Sequence, residues 1–148
     1  MQRRLALLGL LAGTVGLGTA RATLLVITID GDSMSPSYQA GDAVLVVRRR
    51  AGGAVRRGDV VVCRLPTGVP GPSGYLVKRV AAVAGDAFEG ERPVPAGQVY
   101  LCGDNPRSYD SRTFGTIPVD NVIGRVIGQL TRRPGGWLPR VRTARCST

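Results

Sequence analysis

Leu24-Leu25-Val26-Ile27-Thr28-Ile29-Asp30-Gly31-Asp32-Ser33-Met34-Ser35-Pro36 is an apolar run that ends in a tight, Gly/Pro-bounded turn. The run reads as a β-strand, and the turn presents Ser33 at its end. A serine so placed is a candidate nucleophile only if a base can take its proton. The chain has no histidine, so a Ser-His-Asp arrangement is impossible. Of its 20 basic residues, 19 are arginine, whose guanidinium stays protonated at ordinary pH. Lys78 is the only lysine, and a lysine in an apolar pocket can become a neutral amine. The plainer reading makes Ser33 a turn residue and Lys78 a charge at a strand edge.

Downstream of this turn the pattern repeats. Leu24–Ile29, Ala43–Val47, Val60–Arg64, Tyr75–Val83, Val99–Cys102 and Val122–Ile127 are short, valine-rich and bounded by Gly, Pro and Asp. These runs predict strands of a mostly antiparallel β domain. Gly-Asp occurs five times, at 31-32, 41-42, 58-59, 85-86 and 103-104. Glycine supplies a positive φ and aspartate bonds back to the turn backbone, so these pairs are turn chemistry first. No long amphipathic helix is evident after residue 30, and 64–74, with its prolines and glycines, reads as an exposed loop.

At 148 residues the chain has room for one domain with a hydrophobic core. A net charge of +10 calls for an anionic neighbour, nucleic acid or membrane surface. Seven aromatic residues (four Tyr, two Phe, one Trp) are few for stacking on bases, so no nucleic acid is expected and membrane lipid is the favoured partner. Met1-Gln2-Arg3-Arg4 is followed by Leu5 to Ala20 without a charge. Sixteen helical residues cover about 24 Å, and with Arg21 at the interface a span of Leu5–Thr23 is predicted. Arg3 and Arg4 would stay in the cytoplasm and the rest would lie outside, in a single-pass plasma-membrane topology. A cleaved signal peptide competes with this anchor, since Ala20-Arg21-Ala22 offers an A-x-A spacing. The expected organisation is therefore an anchor at 1–23, a β-rich domain at 24–130 and a basic tail at 131–148.

The odd, widely spaced Cys63, Cys102 and Cys146 include no C-x-x-C pair, so neither a metal nor another cofactor is expected. Spacing leaves a Cys63–Cys102 disulfide open, but Cys63 inside Val60-Val61-Val62-Cys63 reads as a buried free thiol.

Taken together, five segments resemble the type I signal peptidases, membrane-anchored serine proteases with a Ser-Lys dyad. Gly31-Asp32-Ser33-Met34-Ser35-Pro36 is similar to the family's S-M-x-P segment, and Gly58-Asp59-Val60-Val61-Val62 to its G-D-[IV]-V strand. Lys78-Arg79-Val80 through Gly85-Asp86 resembles the K-R-V…G-D segment, and Gly103-Asp104-Asn105 through Ser108-Tyr109-Asp110-Ser111-Arg112 the G-D-N…S-x-D-S-R segment. Ile117 through Arg125 also has the expected look. The resemblance implies a small antiparallel, barrel-like β core on one N-terminal transmembrane helix. It implies Ser33 as nucleophile and Lys78 as base, with Ser108 orienting the lysine. Asp110 and Arg112 would form a supporting ion pair, and the Ser33 amide would serve an oxyanion hole. Precursor proteins with leader peptides would be the substrates, cleaved after small residues.

Two departures stand out. Only Pro106 and Arg107 separate Asn105 from Ser108, one residue fewer than the pattern leads one to expect. Gly31 occupies a place where some relatives carry an oxyanion-binding hydroxyl. Three other readings fit parts of the chain: a dedicated maturation protease for one proprotein, a LexA-type self-cleaving Ser-Lys domain, and a non-enzymatic membrane-tethered β domain that binds lipid. For the LexA type, about 30 apolar residues before the serine are too few for a helix-turn-helix module.

Overall fold

The computed structural model describes residues 24–50, 53–71, 74–88 and 92–130. The expected span Leu5–Thr23 and the basic tail lie outside the described residues. No helix among the described residues is long and apolar enough to cross a membrane.

The described chain forms one antiparallel sheet of seven strands: β1 (Leu24–Thr28), β2 (Ala43–Arg48), β3 (Val60–Cys63), β4 (Leu76–Val83), β5 (Gln98–Cys102), β6 (Ile117–Pro118) and β7 (Val122–Leu130). Their order across the sheet is β1-β2-β7-β3-β4-β5-β6, so β7 joins the β1–β2 hairpin to the β3–β4–β5 meander. The six expected strands are present, with β7 running three residues further than expected. β6 and a four-residue helix, α1 (Ser111–Phe114), were not anticipated. Both are too short for periodicity to reveal: β6 exists by pairing Ile117 with Val99, and α1 by its cap at Asp110. The ladder has β1 and β6 as its two edges, so its hydrogen bonding is that of an open sheet rather than a closed barrel.

Period-two alternation sorts the side chains onto two faces. One face packs Val44, Val46, Val60 and Val62 against Ile29, Met34 and Tyr38 from the loop after β1. The other gathers Val61, Cys63, Val80, Val99, Leu101, Ile117 and Val122. Residues paired across strands share a face, so Lys78, opposite Val61, lies on the second. Arg79, opposite Val60 and Cys102, lies on the first. A bulge at Ala81 shifts the parity of β4, and Val80 and Val83 both pack into the second cluster although three residues apart. Cys63 and Cys102 are both buried, with no disulfide between them.

Four of the Gly-Asp pairs are the expected turns in that Gly31, Gly41, Gly58 and Gly85 have φ between 84° and 90°. Asp42, Asp59 and Asp86 each accept a hydrogen bond from the amide three residues earlier. The fifth pair is different, and its difference builds the site.

Candidate active site

Ser33 lies in the loop that leaves edge strand β1. Met34, its neighbour, has no exposed surface and pins this loop to the first face of the sheet. Burying a side chain of that size contributes roughly 1.5–3 kcal/mol, enough to fix where Ser33 emerges. Asn105 ties the turn from the other side: its amide donates to the Ser33 carbonyl at 3.1 Å and its Nδ2 to the Asp32 carbonyl at 3.1 Å. The Ser35–Pro36 peptide is cis. Gly31 is exposed, and a side chain there would meet nothing within 4 Å.

Gly103 follows β5 with no positive φ. What its position excludes is a Cβ, which would strike the Ser108 side chain and the Ser33 carbonyl oxygen. The Ser33 loop, the end of β5 and the Ser108 loop thus meet at a point where only a glycine fits. From the β4 side comes Lys78, 2% exposed, whose Nζ donates to Ser108 Oγ at 2.9 Å. The loop between Asn105 and Ser108, one residue short of the expected pattern, therefore still delivers the Ser108 hydroxyl to the lysine. Ser33 Oγ makes no hydrogen bond among the described residues, to Lys78 or to any other group, and the Ser33 amide donates to none. Contacts of this kind are often long in an unliganded site and tighten when substrate is bound.

Burial pushes the Lys78 ammonium below its ordinary range. The carboxylate of Asp110 is the strongest opposing influence, and Arg112 adds to the lowering. Cys63 is close enough to matter, but burial pushes its thiol up to about 12, so near neutral pH it carries no charge to hold the lysine's proton. Asp110, with no exposed surface, is itself answered in full. Burial opposes its ionisation, but bonds from Arg112 Nε (2.9 Å) and Nη2 (2.6 Å) and from the Gly103 amide (2.8 Å) hold its carboxyl below the usual range. Asp110 also caps α1, accepting from the Arg112 amide. Ser111, next in sequence, bonds Leu101 of β5 through its hydroxyl at 2.9 Å.

A second ion pair went unnoticed in the sequence. Arg79 donates from Nε and Nη2 to both oxygens of Asp104, at 2.8 and 2.7 Å, with side-chain exposures of only 3% and 6%. Its Nη1 reaches the Gly58 carbonyl at 3.1 Å. Asp104 looked like another turn aspartate; the signal that sets it apart is its buried partner, 25 residues away.

The signal peptidase, peptidase S26 family model matches residues 2–89 and 87–130. The chain belongs to the peptidase S26 signal peptidase family. Among curated relatives, the mitochondrial inner membrane protease subunit 1 of Mus musculus is 34% identical over 112 residues, 68% of this chain and 66% of the relative. The subunit 1 protein of Schizosaccharomyces pombe is 28% identical over 122 residues, 75% of each chain. Mitochondrial ATP-independent inner membrane protease subunit 2 of Arabidopsis thaliana is 32% identical over 111 residues, 66% of this chain and 53% of the relative. The alignment thus takes in just under two thirds of the mouse protein. Within this S26 chain, the arrangement places an uncompensated buried amine beside a serine-bearing turn, with no charged group hydrogen-bonded to that amine among the described residues.

Proposed function

We propose that this chain is a membrane-anchored serine endopeptidase that removes leader peptides from exported proteins through a Ser33–Lys78 dyad. The observation that carries the reading is Lys78, buried and bonded to a hydroxyl instead of a carboxylate, in a setting that favours a neutral amine. In its neutral form Lys78 takes the Ser33 hydroxyl proton as Oγ attacks the scissile carbonyl carbon. The Ser33 amide, which has no acceptor among the described residues, donates to the oxyanion that develops. Collapse breaks the C–N bond, and the Lys78 ammonium returns its proton to the leaving amine. Lys78 then deprotonates a water that hydrolyses the acyl ester, freeing the leader carboxylate and Ser33. Ser108 holds the amine in place throughout, and the Asp110–Arg112 pair braces the segment that carries Ser108.

The proposed location is the plasma membrane, with Leu5–Thr23 as a single span and the β domain on the extracytoplasmic side, as Arg3 and Arg4 direct. The names of the relatives speak of the mitochondrial inner membrane for those proteins.

The test is cleavage of a panel of precursor proteins by the full chain in detergent. Native protein is expected to release leaders and, on acid quench, to carry an acyl adduct on the peptide containing Ser33, while Ser33→Ala does neither. Cleavage by Ser33→Ala would overturn the mechanism. Processing of one precursor alone would narrow the function to a dedicated maturation protease, and processing only of its own chain would favour the LexA-type reading.

A further inference from the structure

The strand register sets Leu24, Val47, Arg125, Val61 and Lys78 in one row across five strands. On this face, between the first described residue and the row's far end at Lys78, lies a cavity of about 350 Å³. Its floor is apolar, with Val61 and Val122, but its walls are cationic. Arg49, Arg50, Arg56 and Arg125 line it, and Asp59 is its one carboxylate; Arg48, in register with Gly124 and Val62, sends its side chain to the other face.

That imbalance is not resolved inside the protein. Arg49 bonds the Gly53 carbonyl at 2.8 Å and Asp120 at 3.3 Å, and Arg125 approaches Asp59 at 3.5 Å. The guanidinium groups of Arg50 and Arg56 have no partner among the described residues. Charges of one sign gathered within a Debye length of about 8–10 Å repel unless an anion joins them. Guanidinium forks match phosphate oxygens two at a time, which makes phosphate the anion that this wall suits. The volume falls in the range of about 300–1,000 Å³ usual for small-ligand sites.

The cavity's place in the chain names the source. Leu24 pairs with Val47, the residue before Arg48. In sequence, Leu24 follows the apolar stretch from Leu5 that has the character of a membrane span. On the proposed anchor reading, on which the choice of lipid as the source rests, the arginines stand where the chain leaves that stretch, at the level of lipid headgroups. We propose that this cavity binds a phosphate group, supplied by the phosphodiester of an acidic membrane lipid. Basic residues next to a bilayer attract such lipids, and here a walled cavity gives that attraction a defined seat.

The experiment is calorimetric titration of the full chain in neutral detergent with three probes: water-soluble dihexanoyl-phosphatidylglycerol, dihexanoyl-phosphatidylcholine and inorganic phosphate. The acidic lipid is expected to bind saturably at one site, and the choline lipid more weakly, because its cation faces the arginines. Arg50→Gln/Arg56→Gln should weaken acidic-lipid binding by about tenfold or more, through loss of bidentate phosphate contacts. Arg92→Gln/Arg107→Gln removes the same charge at exposed positions outside the cavity lining and should change it by less than about twofold, as screening dictates. Arg50 and Arg56 are exposed, and thermal unfolding of the double variant checks that it is folded. Equal weakening by both double variants, or no saturable binding of any probe, overturns the site. Inorganic phosphate binding as tightly as the acidic lipid keeps the phosphate site and overturns its assignment to lipid. Neither result bears on Ser33 or Lys78, so this inference and the peptidase reading fail separately.

Discussion

Lys78 and Arg79 are adjacent on β4, each is 2% exposed, and the protein treats them in opposite ways. Arg79 points to the Met34 face, where Asp104 meets it with two charge-assisted bonds and Gly58 offers a carbonyl. Lys78 points to the Val61 face and is given a serine hydroxyl. The nearby carboxylate that could have held its charge, Asp110, is instead engaged by Arg112 and the Gly103 amide. Burial alone therefore does not define a catalytic base. What distinguishes Lys78 is a buried cation whose charge the surroundings leave uncompensated, one residue from a cation whose charge they satisfy in full. On the proposed mechanism, the residue that must stay charged is arginine and the one that must lose its proton is the sole lysine.

The widest expected gap between the two sides is in stability. Asp104→Asn strands the Arg79 charge in the interior and should cost about 3–5 kcal/mol, whereas Lys78→Met leaves only a serine hydroxyl without a partner and should change stability by no more than about 1.5 kcal/mol. Denaturant titration of both variants measures this, and equal losses would erase the contrast. A smaller effect is expected where the two sides meet. Gly103→Ala drives a methyl into Ser108 and the Ser33 carbonyl, at a cost of about 1–3 kcal/mol, together with loss of precursor cleavage. A Gly103→Ala protein with native turnover would show that Ser33 and Ser108 need not converge. The smallest is Ser108→Ala, which removes one hydrogen bond worth about 0.5–1.5 kcal/mol. It should leave folding intact and slow cleavage, and full activity would take the orienting role away from Ser108.

Much of this was open to reading in the residues, for identifiable reasons. Valine-rich runs punctuated by Gly-Asp turns announce strands because the turn geometry and the pleated surface select those residue types locally. Lys78 was conspicuous through composition, since a single lysine among 19 arginines is a choice of chemistry more than of charge. Asp104 and Gly103 were hidden for the converse reason. Their local sequence is the same Gly-Asp found at four ordinary turns, and only contacts with Arg79, Ser108 and Ser33 give them another role. The bulge at Ala81 was equally hidden, because a one-residue slip in pairing leaves no mark on a valine- and alanine-rich strand. β6 and α1 depend on the partner strand and on the Asp110 cap, neither of which lies in their own few residues.

Precursor cleavage by the native chain and by Lys78→Arg across a range of pH tests the central claim most directly, with thermal unfolding run beside it to confirm that the variant is folded. Only the neutral amine can take the Ser33 proton, and burial places the Lys78 ionisation below the usual lysine value of about 10.4. Native activity should therefore rise with pH through that lowered ionisation and level off above it. Lys78→Arg keeps the positive charge but has no accessible neutral state, so its turnover should fall by about 10²–10⁴-fold, the usual contribution of a general base. Near-native turnover by folded Lys78→Arg, or native activity that falls as Lys78 loses its proton, would contradict the account.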